Sequence, residues 1–147
     1  WSEEVRDAKP NATIVVLSGA FLYGMTADNA WRAACHPAWH ARFEAALDRR
    51  LRDLKSATAK VCVATMPYAV GRYDNDTHRE RIDCVSVSLR KVVTAVGGLN
   101  WLDLAEIQCP RGTCTIHFNG KKIRPDGVHY DLFAARSIAL QTLEALK

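Results

Sequence analysis

No apolar run in this chain is long enough to cross a membrane: the longest, Ala12 to Leu17, falls far short of the roughly 20 residues a span needs. A surplus of one charge is also missing, since 20 Lys and Arg stand against 16 Asp and Glu for a net +4. The charges are mixed, and only RDLK and GKKIRP are locally basic, so there is no basic stripe interleaved with aromatics for a nucleic-acid backbone. The chain has no CxxC pair, no Gly-rich loop to cradle a phosphate, no G-x-S-x-G elbow, no internal repeat and no low-complexity linker. What remains is 147 residues, 48% hydrophobic and 24% charged, the composition of one globular domain with a real core. The opening WSEEVRDAKPNA is charged where a leader would be apolar, and it reads as the tail of a helix leading into a strand.

Short β-branched runs alternate with longer segments of helical spacing. NATIVVLSG is a continuous apolar run ending in Gly19, as a parallel strand buried on both faces would be. From Ala38 to Ser56, Phe43, Leu47, Leu51 and Leu54 recur on one helical face. KVCVATMP is a second strand, stopped by Pro67 and followed by a polar loop. Thr77 and Glu80 have capping-box spacing ahead of Ile82, Val85, Leu89, Val92, Val93 and Val96, a helix that Gly97 and Gly98 end. NWLDLA reads as extended, and CTIHFNG as a short extended excursion outside the central sheet. Asp131 is placed to cap a last helix with a buried stripe of Leu132, Ala135, Ala139, Leu143 and Leu146. The order predicts a parallel sheet covered by helices on both sides, a three-layer α/β/α sandwich.

Five cysteines make an odd count. Cys109 and Cys114 in CPRGTC lie close enough to close a small ring around a Pro and a Gly, and a disulfide there implies an oxidising, extracytoplasmic setting. Five buried thiols are the alternative. Cys62, inside a strand, reads as a buried thiol, and the pairing of Cys35, Cys62 and Cys84 stays open.

Ligands of an open parallel sheet sit beyond the carboxyl ends of its strands, so the polar turn RPDGVHYD, before the last helix, is where chemistry is expected. Pro125 fixes a torsion and Gly127 allows a sharp reversal, which brings Asp126 and His129 to one side. A histidine held by an acid on one ring nitrogen can take a proton from an alcohol with the other. The same spacing also suits a turn in which Asp126 bonds the backbone and His129 packs at the start of the helix.

A late D-x-x-H before a C-terminal helix of an alternating α/β chain resembles the SGNH or GDSL hydrolase superfamily. The form RPDGVHY looks most like the SGNH domains fused to, or partnered with, membrane acyltransferases of the acyltransferase-3 type. The resemblance implies that Asp126 and His129 are the acid and base of a Ser-His-Asp triad, and that Gly19 in VVLSGAF matches the glycine of the family's third block, Gly-x-Asn-Asp, among its oxyanion donors. It further implies O-acyl transfer, of acetyl in particular, from an acyl donor to a cell-envelope glycan through an acyl-serine. No metal or dissociable cofactor is implied, and the location would be extracytoplasmic. Phe21 stands where that block has its asparagine, a residue that some acyltransferase-fused members also lack. The first block, Gly-Asp-Ser, is nowhere in these residues, nor is the second block's glycine. On this reading the chain is the C-terminal portion of one SGNH-like domain, with the nucleophilic serine and first strand on an upstream segment, and a membrane acyltransferase domain as a further partner.

Ser18, which ends a strand and precedes a glycine, is the substitute nucleophile within the chain. The rival functions are a secreted esterase that removes acyl groups from carbohydrate or lipid, and a catalytically silent module that binds a glycan or a partner. Among lesser candidates, His36 and His40 in CHPAWH have the spacing of a metal pair, interrupted by Pro37, and a helix start explains them as well. Trp31 and Trp39 either frame a carbohydrate groove or pack in the core.

Overall fold

Three parallel strands form the centre of the computed structural model, which describes residues 2–17, 19–114, 116–118 and 121–144. Helix α1, Ser2–Ala8, leads into β1, Ala12–Val16. A 3-10 turn, Gly19–Leu22, and a small hairpin of β2, Met25–Ala27, and β3, Ala30–Arg32, bring the chain to α2, Pro37–Ala57. Strand β4, Lys60–Ala64, is followed by α3, Asp76–Val96, then β5, Asn100–Leu102, and a short α4, Leu104–Gln108. A second hairpin, β6, His117–Phe118, with β7, Lys121–Lys122, precedes the last helix α5, Leu132–Glu144.

The sheet order is β1-β4-β5, and all its pairings are parallel. Ile14 pairs with Cys62 and Val15 with Val63, so odd and even positions of β1 and β4 share faces. Val15, Val61 and Val63 point to a core built with the buried stripes of α2 and α3. In α2 that stripe is Trp39, Phe43, Leu47, Leu51 and Leu54, with the Trp39 and Phe43 rings stacked 4.6 Å apart. In α3 it is Ile82, Val85, Leu89, Val92, Val93 and Val96, the helical faces read from the sequence. On the opposite face, Cys62, Ala64, Leu102 and Leu104 cluster, with Ile138 of α5 packed against them. Helices on both faces of a parallel sheet are the expected three-layer α/β arrangement.

Four local expectations are corrected. β1 is not buried on both faces: Ile14 is 41% and Val16 58% exposed, because α5 covers the β4–β5 part of the sheet and stops short of this outermost strand. NWLDLA is extended only to Leu102, since the Asp103 carboxylate accepts the Glu106 N–H at 3.0 Å and caps a helix there. The cap of α3 is Asn75, whose side chain accepts the His78 N–H at 2.9 Å; the helix starts before Thr77, so no capping box forms. In α5 Leu132, Ala135, Ala139 and Leu143 are exposed, with Leu132 at 87%, and the inward side carries Ala134 and Ile138 instead. A helix of Leu and Ala on several sides has no single apolar stripe to read, and Leu146 lies outside the described residues. Asp131 does cap α5, accepting the Ala134 N–H at 2.8 Å. The CTIHFNG excursion contributes β6 to a hairpin outside the main sheet.

Candidate active-site turn

Because the strands are parallel, the segments that follow β1, β4 and β5 emerge at one end of the sheet. Gly19 opens the 3-10 turn after β1 at that end, exposed and with open space around it. The loop after β4 runs past Thr65 and Tyr68 to Val70, and the Val70 N–H donates to the Gly127 carbonyl at 2.8 Å. That bond docks the RPDGVHYD turn onto the sheet end. Its base is closed by the Asp131 N–H on the Ile123 carbonyl at 3.0 Å, and its reversal by the Gly127 N–H on the Arg124 carbonyl at 3.1 Å.

Gly127 is required for two reasons. Its φ is +87°, in the region that favours glycine, and a Cβ there would lie 2.2 Å from the Val70 carbonyl oxygen. The tight turn aims the Asp126 carboxylate back at the chain that follows. Oδ1 accepts the backbone N–H of Val128 at 2.9 Å and of His129 at 2.7 Å, while Oδ2 lies 2.6 Å from His129 Nδ1. The two readings of the spacing are therefore both realised, since one carboxylate makes the turn and meets the ring.

The bond to the His129 ring, followed by those from the two backbone N–H groups, holds the Asp126 carboxyl well below the usual carboxylate range. An ionised carboxylate only accepts, so His129 Nδ1–H donates to it, and in the neutral ring Nε2 is the nitrogen with the free lone pair. The His129 side chain is 84% exposed, so that lone pair faces outward at the end of the sheet where ligands bind. An imidazole in this state can accept a proton from an alcohol or water, and the carboxylate stabilises the resulting cation.

Beneath the turn lies a layer that the sequence did not single out. Arg124 is fully buried, donates from Nη1 to the Tyr68 carbonyl and lies 4.6 Å over the Tyr130 ring. Burial lowers Arg124 and pushes the Tyr130 hydroxyl up to about 12. Cys109 and Cys114 are disulfide-bonded, as read from CPRGTC, and Arg79 ties their ring down through the Gly112 carbonyl at 2.8 Å. Cys114 Sγ lies 3.9 Å from the Tyr68 oxygen that receives Arg124. An arginine before a proline is common in loops, so only the cation-aromatic pairing of Arg124 with Tyr130 hints at a buried platform. A cavity of about 420 Å³, lined by Ile116, Lys122, Arg124, Val70 and the turn, adjoins it.

The remaining candidates go elsewhere. Ser18 and the Phe21 side chain lie outside what is described. Trp39 is in the core and Trp31 is exposed on β3, so the two do not frame a groove. His36 caps α2, accepting the Ala38 N–H at 3.1 Å, and His40 bonds Ser88; among the described residues no three metal-ligating side chains cluster. Cys62 is a buried thiol raised by that burial, and Cys35 is bonded to Cys84.

No protein-family profile matches this chain, and none of the curated proteins matches it in sequence. Among solved structures it is similar to the crystal structure of an acetyl xylan esterase, AlAXEase, with a TM-score of 0.66 and 16% identity over 99% of this chain and 71% of the other. At that identity the likeness is one of fold.

Proposed function

We propose that this chain carries the acid and base of an acyl-ester enzyme acting on O-acylated glycans, chiefly as an esterase. The observation that carries the reading is the Asp126–His129 pair, 2.6 Å apart, with Nε2 outward at the carboxyl end of a parallel sheet. His129 takes the proton of a serine as it attacks the ester carbonyl and returns it to the departing sugar hydroxyl; water then repeats the cycle and frees the acid. Asp126 holds the tautomer and offsets the imidazolium charge. Gly19 offers a backbone N–H to the oxyanion. The esterase named above shares the fold, which supports this class of chemistry. Two disulfides suit an oxidising compartment. Among the described residues no helix is long and apolar enough to cross a membrane.

The nucleophilic serine belongs, in this proposal, to a segment other than these residues, pairing as a strand with the outer edge of β1. Among the described residues β1 pairs only with β4, and Ile14 and Val16 on its open face are exposed, as are Leu140 and Leu143 of α5. A parallel strand there would end about 5 Å from β1, at the same sheet end as Gly19 and the turn. Transfer to a sugar hydroxyl of an envelope glycan, with a membrane acyltransferase as donor partner, is the second reading, favoured by the likeness of RPDGVHY to that group's last block.

The test is reaction of the full-length protein with a fluorophosphonate, followed by peptide mapping, beside ester hydrolysis by His129→Ala. The expected label lies outside residues 1–147, and His129→Ala loses on the order of 10⁴-fold in rate. Label on Ser18 would move the nucleophile into this chain. No label together with an unchanged rate in His129→Ala would leave a binding module.

A further inference from the structure

The bond between Cys35, in the turn before α2, and Cys84 on α3 has surroundings unlike those of Cys109–Cys114. His40 on α2 places Nε2 3.4 Å from Cys84 Sγ and Nδ1 2.6 Å from the Ser88 hydroxyl. That hydroxyl, on α3 one turn after Cys84, is also 3.0 Å from Glu44 Oε1, and Lys91 Nζ meets Glu44 Oε2 at 2.5 Å.

The protons of this network can be placed. Burial works to raise the Glu44 carboxyl, but the hydrogen bonds from Lys91 and Ser88 hold it below the usual carboxylate range, so it is ionised and only accepts. Ser88 therefore gives its single proton to Glu44, and its oxygen accepts from His40 Nδ1–H. In the neutral ring Nε2 is then the nitrogen with the lone pair, and it faces the Cys84 sulfur. Ser88 is not a nucleophile in a Ser-His-Glu set, because it is 1% exposed and its proton points away from the ring. The chain Glu44–Ser88–His40 is instead poised to stabilise positive charge on the ring beside a sulfur. Cys35 adds a second feature: its φ is +76°, a conformation non-glycine residues rarely adopt.

We propose that Cys35–Cys84 is an exchangeable disulfide, opened by an external dithiol whose thiolate attacks Cys35 while Cys84 leaves as a thiolate held by the His40 imidazolium. A new S–S bond forms between the reductant and Cys35 as the Cys35–Cys84 bond breaks. The reductant's second sulfur then displaces Cys35, and the dithiol is oxidised to a cyclic disulfide by two electrons. Of the two protons it gives up, one ends on the Cys35 thiol and the other on His40 Nε2, facing the Cys84 thiolate. Thiols leave faster when their thiolate is stabilised, which directs attack to Cys35. Among the described residues Cys109–Cys114 has no such partner: Cys114 Sγ faces a carbonyl oxygen, which repels a thiolate, and Cys109 is 1% exposed. Opening the first bridge would unlink the turn before α2 from α3 and leave the second intact.

The experiment treats the folded full-length protein with limiting dithiothreitol, quenches with iodoacetamide and maps the alkylated cysteines over time. Cys35 and Cys84 are expected to label about tenfold faster than Cys109 and Cys114, and a monothiol is expected to be trapped on Cys35. His40→Gln is expected to slow opening of the first bridge about tenfold without changing the second. If circular dichroism shows that this variant does not fold, Glu44→Gln serves in its place, with slowing in the same direction. Equal opening of the two bridges in the wild type, the monothiol on Cys84, or variants that open at the wild-type rate would overturn the proposal.

Discussion

Replacing Gly127 by alanine perturbs the turn where its backbone meets that of the loop after β4. Two costs can be worked out from the structure. At φ +87° an alanine sits in left-handed space, for about 1–2 kcal/mol. Its Cβ would meet the Val70 carbonyl oxygen at 2.2 Å, so the loops must part and the 2.8 Å Val70 N–H to Gly127 bond is lost, for about 1 kcal/mol more. The sum, about 2–3 kcal/mol, corresponds to a fall in Tm of roughly 4–12 °C for a chain of this size. Gly71→Ala separates the terms, because its φ is +66° but nothing lies within 4 Å of its Cβ, so only the conformational cost applies. Gly19→Ala carries neither term and keeps the backbone N–H, so its Tm should stay within about 1 °C of wild type. Differential scanning calorimetry of the three variants gives the ranking. Gly127→Ala should also lower ester hydrolysis by about 100-fold, since a shift of about 1 Å is enough to spoil an acid-base pair. A Gly127→Ala protein as stable as Gly19→Ala would refute the close approach on which the geometry of Asp126 and His129 rests.

Other outcomes follow from single contacts. Leu51→Ala should lose about 3–5 kcal/mol in urea unfolding, being fully buried, whereas Leu132→Ala, 87% exposed, should change stability by no more than about 0.5 kcal/mol; a large loss at Leu132 would restore the stripe read from the sequence. Asp131→Ala removes the cap of α5 and should cost about 1 kcal/mol, with amide exchange quickening first at Ala134 and Ala135. The Glu44 carboxyl is lowered in the fold, so its contribution is complete above its unfolded pKa of about 4.3 and is lost as the pH falls through its lower folded value. As the pH falls below about 4.3, acid should therefore destabilise the wild type more steeply than Glu44→Gln, and parallel curves would show that the Lys91–Glu44–Ser88 bonds do not persist in solution.

Legibility followed the range of the interactions. The stripes of α2 and α3 are readable because each helix turns one apolar face to a single core shared with the sheet and the other helix, and Phe43, Leu47, Leu51 and Leu54 therefore recur at helical steps. The α5 stripe was misread because leucines and alanines occur around the helix, and only the position of Cys62, Ala64 and Leu102 in space decides that Ala134 and Ile138 turn inward. NWLDLA was misread for a local reason: an aspartate after a short strand serves equally as a polar end or as a cap, and the bond from Glu106 chooses the cap. The Asp126–His129 contact lies within three positions, so its partners are legible in the sequence, whereas the docking of Gly127 on Val70 that makes the glycine necessary is not. Arg124 meets the Tyr68 carbonyl 56 residues away, and Cys35 meets Cys84 across 49, contacts that only the finished fold creates.

The same distinction separates the two halves of the proposed chemistry. The base and its acid form a self-contained unit: three hydrogen bonds fix the Asp126 carboxylate, all to residues within three positions of it, and the glycine between them docks the unit on the loop after β4. Such a unit keeps its tautomer whether or not a nucleophile is beside it. The partner alcohol is not fixed by this unit, and in the proposal it has to arrive at the right end of the sheet. In the proposal, parallel pairing would meet that requirement without any sequence match at the turn, since a strand added parallel to β1 would run in the same direction as Ala12–Val16 and end near Gly19. Exposed Ile14 and Val16 then have a physical role, as the surface that an added layer would bury. Charged substitutions at those two positions should weaken ester hydrolysis by the full-length protein while leaving the 2.6 Å Asp126–His129 contact, and the downfield ring N–H resonance expected of it, unchanged. A loss of that resonance along with activity would instead mean that the turn and the β1 face are one cooperative structure.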